Sequence, residues 1–388
     1  MAIAPEHRDG SAPTSFVRDH NSSKLVPIDY RSIPHHQTKE VEEARDEQLK
    51  IRLWELGMTH EALLKIDRGE RLPNIASDAT AVGTEDKELL HKFAASLDIH
   101  RPGSISWAGH SFGAATVVQF VKSVFYRPSK HTGDQYRPLY IPGEDSSIIQ
   151  QITPSTTISL LDLWTLPFRS TFTRWLWDKP LPCYSPDGPG GSVVLAIFSE
   201  AFFKWRGNLI QTKRAVSANP SGDRRNQLSK TPPYIFYPVK TAHLSQSDFG
   251  VLFPWTTKAI FKAEEPERTL KLNVLAILEL MRQNGSEVAR ASPDDKVAVQ
   301  RPLQGPTNGQ SIGSIFTKVN GHERSVPPST QVKSADEVNI LATDGSIRGW
   351  IPVDVEEETK PGEGENEKTS VEADPNEAVR ETEVIQEL

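Results

Sequence analysis

The nine residues Trp107-Ala108-Gly109-His110-Ser111-Phe112-Gly113-Ala114-Ala115 constrain this chain more than any other stretch. They follow an apolar, strand-like run from Ile105 to Ala108 and open an apolar, helix-like run from Ala115 to Val121, so the segment reads strand, tight turn, helix. The turn has the form G-x-S-x-G. A serine at the apex of so sharp a turn sits in a strained backbone conformation, and side chains two residues to either side would collide across it. Gly109 and Gly113 are therefore read as removing those side chains. The Ser111 hydroxyl would stand at the carboxyl edge of a sheet, and the first helical amides, Phe112 N–H among them, would face a developing oxyanion. A βα turn whose glycines serve only helix–sheet packing is the alternative.

Around this turn, strand-like and helix-like runs alternate, which argues for a mainly parallel sheet in an α/β fold. Ala2 to Ala4 reads as the end of a strand entering the turn Glu6-His7-Arg8-Asp9-Gly10-Ser11, and a polar loop follows. His36 to about Leu56 reads as a helix with Leu49, Leu53 and Leu56 on one face, stopped at Gly57; a second helix is expected from Thr84 to Leu97. Both lie before the elbow and resemble a helical insertion over the sheet edge. Past the elbow, strands are expected at Thr156 to Leu161, Ser192 to Phe198 and Tyr234 to Val239, and Leu270 to Met281 reads as a closing helix ended by Asn284-Gly285. The packed catalytic region is thus residues 1–285. Residues 286–353 are linker-like, with a patch near 338–353 able to dock on the body, and residues 354–388 read as an acidic disordered tail.

Charge and cysteine usage exclude several function classes. The net charge of −7 is concentrated in the tail, where Asp354 to Leu388 carries thirteen acidic and three basic residues. The near-neutral body argues against a nucleic-acid partner. A single cysteine, Cys183, leaves no internal disulfide framework and disfavours a metal–thiolate site. No apolar run reaches the length of a membrane span, and Met1 to Asp9 lacks the layout of a signal peptide, so the expectation is a soluble, cytoplasmic protein with no transmembrane segment.

A serine hydroxyl needs a base to take its proton, and that base needs a third group to fix its tautomer. In hydrolases with this turn the chain order is Ser, acid, His. The downstream histidines are His131, His243 and His322. His131 follows the nucleophile helix with no strand between and His322 lies in the linker-like region, which leaves His243, in the loop after the last strand. For the acid, Asp162 at the carboxyl end of one strand and Glu200 at the end of the next are both open on position alone.

Several segments, in one order, resemble the plasma-type platelet-activating factor acetylhydrolases and their fungal relatives. They are Glu6-His7-Arg8-Asp9-Gly10-Ser11, the elbow Gly109 to Thr116, Leu161-Asp162-Leu163-Trp164-Thr165-Leu166-Pro167-Phe168, and Ala242-His243 with Asp248-Phe249. Arg45, Gln48 and Ile66-Asp67-Arg68-Gly69 resemble that family's inserted helices, and the likeness runs from residue 1 to about Asn284. The resemblance implies an α/β-hydrolase fold and a calcium-independent phospholipase A2 with no cofactor or metal. It hydrolyses a short or oxidised sn-2 acyl ester of a glycerophospholipid through an acyl-serine intermediate, at a membrane or lipoprotein-like surface. It also implies that Ser111 is the nucleophile, that Asp162 orients and His243 acts as base then acid, and that Phe112 N–H is one oxyanion donor. Trp164 and Phe168 would line the acyl pocket or serve as core aromatics.

Two departures stand out. Ala114 replaces a glycine frequent in the family, and the strands that precede the Glu-His-Arg-Asp turn there, with the loop carrying the second oxyanion N–H, have no counterpart before Met1. The chain is thus expected to be N-terminally incomplete, and the alternatives to a phospholipid esterase are a general carboxylesterase and an inactive fragment lacking half of its oxyanion hole.

Overall fold

In the computed structural model the described residues are 1–19, 24–72, 90, 92–127, 138–222, 230–289, 318–319, 322–323 and 339–355. The chain begins with an antiparallel hairpin, β1 (Thr14–Arg18) and β2 (Leu25–Asp29), and then the long helix α1 (Lys39–Asp67). β3 (Trp107–His110) enters α2 (Phe112–Phe125), followed by α3 (Ile148–Gln151), β4 (Ile158–Leu161), α4 (Arg174–Trp177) and β5 (Val194–Ile197). Then come α5 (Glu200–Lys204), α6 (Arg206–Val216), β6 (Tyr234–Pro238), α7 (Phe249–Leu252), α8 (Pro254–Phe261) and α9 (Pro266–Gln283). A short ladder pairs β7 (Lys318–Val319) with β8 (His322–Glu323), and β9 (Trp350–Pro352) is the last strand.

The main sheet has the order β3-β4-β5-β6-β9, parallel from β3 through β6 and antiparallel at β9. Side chains alternate across a strand, so each strand serves two layers. Ile158, Leu160, Val194 and Ala196 join the core beneath α1 and α2, with Leu49, Leu53, Val117 and Phe120. Leu195, Ile197 and Phe236 meet Leu272, Ala276 and Leu280 of α9 on the other side. The sheet is therefore covered on both faces, as a mainly parallel sheet in an α/β fold requires, and the near-continuous apolar strands follow from that double burial.

Two expectations are revised, and a third lies mostly outside the described residues. Ala2 to Ala4 is exposed and forms no strand; the first strands are the hairpin β1–β2, in a region read as a polar loop. The helix expected to end at Gly57 runs on to Asp67, because Gly57 makes room for a neighbour: a Cβ there would lie 2.5 Å from the Tyr140 hydroxyl. Thr38 caps its start, accepting from Val41 N–H at 3.3 Å. The expected helix from Thr84 to Leu97 falls largely outside the described residues; within it Lys92 and Phe93 are 3-10 helical, Ala94 and Ala95 form a turn, and Ser96 and Leu97 are irregular. Of residues 354–388 only Asp354 and Val355 are described.

β9 adds an antiparallel edge to the sheet with Trp350 opposite Pro238. Trp350 is 1% exposed, stacks on Phe236 with ring centroids 5.1 Å apart, and its indole N–H donates to the Ile340 carbonyl at 3.0 Å. A side chain so placed is core although it lies nearly seventy residues beyond α9. Trp350→Ala is expected to cost ~3–5 kcal/mol, the range for removing a buried aromatic, read as a lower midpoint in urea denaturation.

Candidate active site

The turn between β3 and α2 forces Ser111 out of the ordinary backbone regions, to φ 55 and ψ −117. A non-glycine residue is held there only when its surroundings over-determine it. Ser111 N–H donates to the Leu161 carbonyl at 2.9 Å, tying the turn to the end of β4. At Gly109 a Cβ would lie 2.4 Å from the Gly113 carbonyl oxygen, so β3 and the first turn of α2 approach as closely as glycine alone allows. Gly113 behaves differently from the expectation: a Cβ there would meet nothing within 4 Å, because the position opens toward the cleft. Phe112 opens α2, so helix geometry leaves its N–H without an intrahelical acceptor, beside the Ser111 side chain.

Asp162 follows β4 directly, with φ 45, and its main chain is anchored by a 2.8 Å bond from its N–H to the Ile197 carbonyl. This twist turns the carboxyl inward, where it is fully buried. Oδ1 accepts from Ser199 N–H at 2.5 Å and Oδ2 lies 2.9 Å from His243 Nδ1. Glu200, its competitor on sequence position, opens α5 instead, and its carboxylate receives Lys204 Nζ at 2.7 Å and the Lys240 main-chain N–H. His243 stands in the turn after β6, stacked on Phe202 at 4.4 Å, with the His110 ring 4.5 Å away on another side. Burial pushes the Asp162 carboxyl up to about 7 and holds the His243 imidazole down. The hydrogen bond makes these two groups one titrating pair, so the proton taken up near neutrality belongs to the pair.

Ser111 lines a cleft of ≈ 300 Å³ with Ser11, Tyr30, His35, Arg45, Arg52, His110, Phe112, Gly113, Trp164, Phe202 and Trp205 among its walls. Trp164 therefore does face this cleft, with Phe112 edge-on to it at 5.8 Å. Phe168 does not. It is 1% exposed, packs on Trp177 at 5.4 Å, and borders a separate cleft with Arg169, Arg174 and Arg214. The residues that sequence reasoning passed over as site residues are His35, Arg45, Arg52 and Phe202. The α1 arginines carried one signal, charge on the face of a helix that also bears Leu49 and Leu53.

Among the described residues, one group has the ligand chemistry to hold a metal ion: His110, Asp162 and His243, whose ligand atoms all lie within 4.8 Å of one another. It shares its atoms with the Asp162–His243 pair, so a metal there would displace the bond that orients His243.

Residues 1–181 match the family model described as platelet-activating factor acetylhydrolase, isoform II. The match takes in Ser111 and Asp162 and ends before His243. No curated protein matches the chain.

The two elbow glycines are expected to respond oppositely to a methyl group. Gly109→Ala, which forces Cβ against backbone, should lower stability by at least ~2 kcal/mol, as for overpacking in a core. Gly113→Ala, at a helical position with free space, should be neutral or stabilising by up to ~1 kcal/mol. Thermal unfolding of both variants checks the contrast.

Proposed function

With residues 1–181 belonging to the platelet-activating factor acetylhydrolase family, we propose that the chain is a serine esterase that hydrolyses a short or oxidised sn-2 acyl ester of a glycerophospholipid. Family membership carries the coarser part, ester hydrolysis on a phospholipid. The finer reading rests on one observation above all, the 2.9 Å bond between His243 Nδ1 and Asp162 Oδ2, with Ser111 held at φ 55 in the turn that is hydrogen-bonded to the end of β4.

In this mechanism Asp162 accepts from His243 Nδ1–H, which leaves Nε2 as the lone-pair nitrogen. Nε2 takes the Ser111 proton as Oγ bonds to the acyl carbon, and the carbonyl π electrons move onto oxygen. Phe112 N–H donates to that oxyanion. When the tetrahedral adduct collapses, His243 returns the proton to the departing glycerol oxygen. A water, deprotonated by the same nitrogen, then releases the acid and restores Ser111. No step requires calcium or another cofactor.

A lipid surface is proposed as the place of reaction. No helix among the described residues is long and apolar enough to cross a membrane. The segment after His243, α7 and α8, exposes Leu252 at 63%, Phe253 at 52%, Trp255 at 80% and Ile260 at 51%. Lys258 and Lys262 are exposed beside them. Apolar side chains flanked by cations suit the interface of an anionic bilayer. Leu252→Ser combined with Trp255→Ser is expected to weaken co-sedimentation with anionic phospholipid vesicles at least tenfold, since each side chain contributes about 1.5–3 kcal/mol when buried; unchanged binding would remove this surface from the proposal.

The catalytic assignment predicts that Ser111→Ala abolishes turnover and fluorophosphonate labelling, and that Asp162→Asn lowers kcat by about 10⁴ through the wrong tautomer. The active form is the deprotonated pair, so kcat/KM is expected to reach its plateau on the alkaline side, to be half-maximal near the value to which burial raises Asp162, about 7, and to fall as the pH drops below it. Hydrolysis of 1-alkyl-2-acetylglycerophosphocholine and of p-nitrophenyl acetate, followed from pH 5 to 9, measures both effects. Undiminished activity of Ser111→Ala would sink the assignment.

A further inference from the structure

The two arginines on the inner face of α1 are neutralised differently. Arg52 is ion-paired, its Nε donating to Asp9 Oδ2 at 2.5 Å and its Nη2 to Ser11 Oγ. Arg45, two helical turns earlier on the same face, is 7% exposed, yet its hydrogen bonds go to neutral oxygens, Gln48 Oε1 at 2.8 Å and the Ile33 carbonyl at 2.9 Å. Its Nε–H is buried with no acceptor. Among the described residues no carboxylate bonds to it; the Asp9 carboxylate is taken by Arg52 and Ser11. Removing a cation from water without a counter-ion is costly, and an unmade charge-assisted bond adds to the cost.

The guanidinium is held in place by two rings, with Cζ 4.9 Å from the Trp164 centroid and 5.6 Å from that of Phe112. Phe112 is the neighbour of Ser111, and Arg45, Phe112, Ser111 and Trp164 border one cleft together with Tyr30 and His35. Burial lowers Arg45 only to about 10, so it stays charged at neutral pH, and it lowers His35 to about 4, so that imidazole stays neutral. The part of the cleft wall that carries Phe112 and Trp164 thus holds a positive charge with no carboxylate hydrogen-bonded to it, Asp9 acting on it only through space.

We propose that Arg45 is the receptor for the phosphate of the substrate, so that the cleft selects esters carrying a phosphodiester on the carbon next to the scissile ester. This deepens the reading of Ser111 as nucleophile and rests on it. A planar guanidinium with a free Nε–H matches the oxygens of a phosphate better than an ammonium would, because it can donate along two directions at once. When the phosphate binds, the orphaned donor and the unpaired charge are satisfied together.

The test compares 1-alkyl-2-acetylglycerophosphocholine with 1-alkyl-2-acetylglycerol, which has the same scissile ester and no phosphate. Active enzyme is counted by fluorophosphonate titration. The wild type is expected to favour the phosphate-bearing ester on the order of a hundredfold in kcat/KM, and Arg45→Met to lose most of that ratio, the scale of removing one partner from a buried charge pair. Arg45→Lys should fall between. The ratio does not depend on how much of a variant folds. Inorganic phosphate should compete with the phosphate-free ester in the wild type, beyond the effect of chloride at equal ionic strength, which separates the anion from the rest of the headgroup.

An unchanged ratio in Arg45→Met, or no competition by phosphate, overturns the proposal. If Arg45→Met does not fold, Arg45→Lys and the phosphate competition decide. A wild type that hydrolyses both esters equally, with Ser111→Ala inactive, overturns the phosphate receptor and leaves the nucleophile standing. Hydrolysis of both esters by Ser111→Ala overturns the esterase reading, and the proposal with it.

Discussion

The approach of β3 to the first turn of α2 is the constraint on which the site depends. With 2.4 Å between a would-be Gly109 Cβ and the Gly113 carbonyl, strand and helix are joined with no slack. Ser111 has nowhere to sit but φ 55. Its side chain then leads the helix, where Phe112 offers a free amide, and its own N–H ties the elbow to the end of β4. That last bond matters because Asp162 directly follows that strand. Main-chain hydrogen bonds through this turn thereby fix where Ser111 stands relative to Asp162.

Burial gives this arrangement its chemistry. Asp162 is fully buried, but two hydrogen bonds, from Ser199 N–H and His243 Nδ1, give a carboxylate there compensation that water would otherwise supply. Phe202 and His110 pack on the His243 ring and limit its rotation. The cleft above is built from a different part of the chain, the inner face of α1, which brings Arg45 and Arg52 over the Phe112 ring. Both arginines stand in the half of α1 that precedes Gly57, where Leu49 and Leu53 anchor the helix in the core.

At the far edge, β9 shows how much of the core comes from remote sequence. Trp350, Ile340, Leu341 and Ile347 complete the layer between α9 and the sheet, and Val239 N–H donates to the Gly349 carbonyl at 2.8 Å. The strand antiparallel to β6 thereby braces the element that carries His243.

The sequence by itself determined the parallel part of the sheet and the elbow. The runs at Ile158, Val194 and Tyr234 are apolar because both sheet faces are covered, and the G-x-S-x-G turn is local chemistry that needs no distant partner. Asp162 and His243 were legible as positions at strand ends. Only the tertiary structure shows which of Asp162 and Glu200 lies against His243: with φ 45 the Asp162 carboxyl is turned inward to His243, while Glu200 is drawn to Lys204 and Lys240. The hairpin β1–β2, the passage of α1 through Gly57, the place of β9 and the unpaired charge of Arg45 were equally hidden. Each is settled by contact with residues far along the chain or on another element, and a periodicity that reports local burial carries no trace of which distant group supplies it.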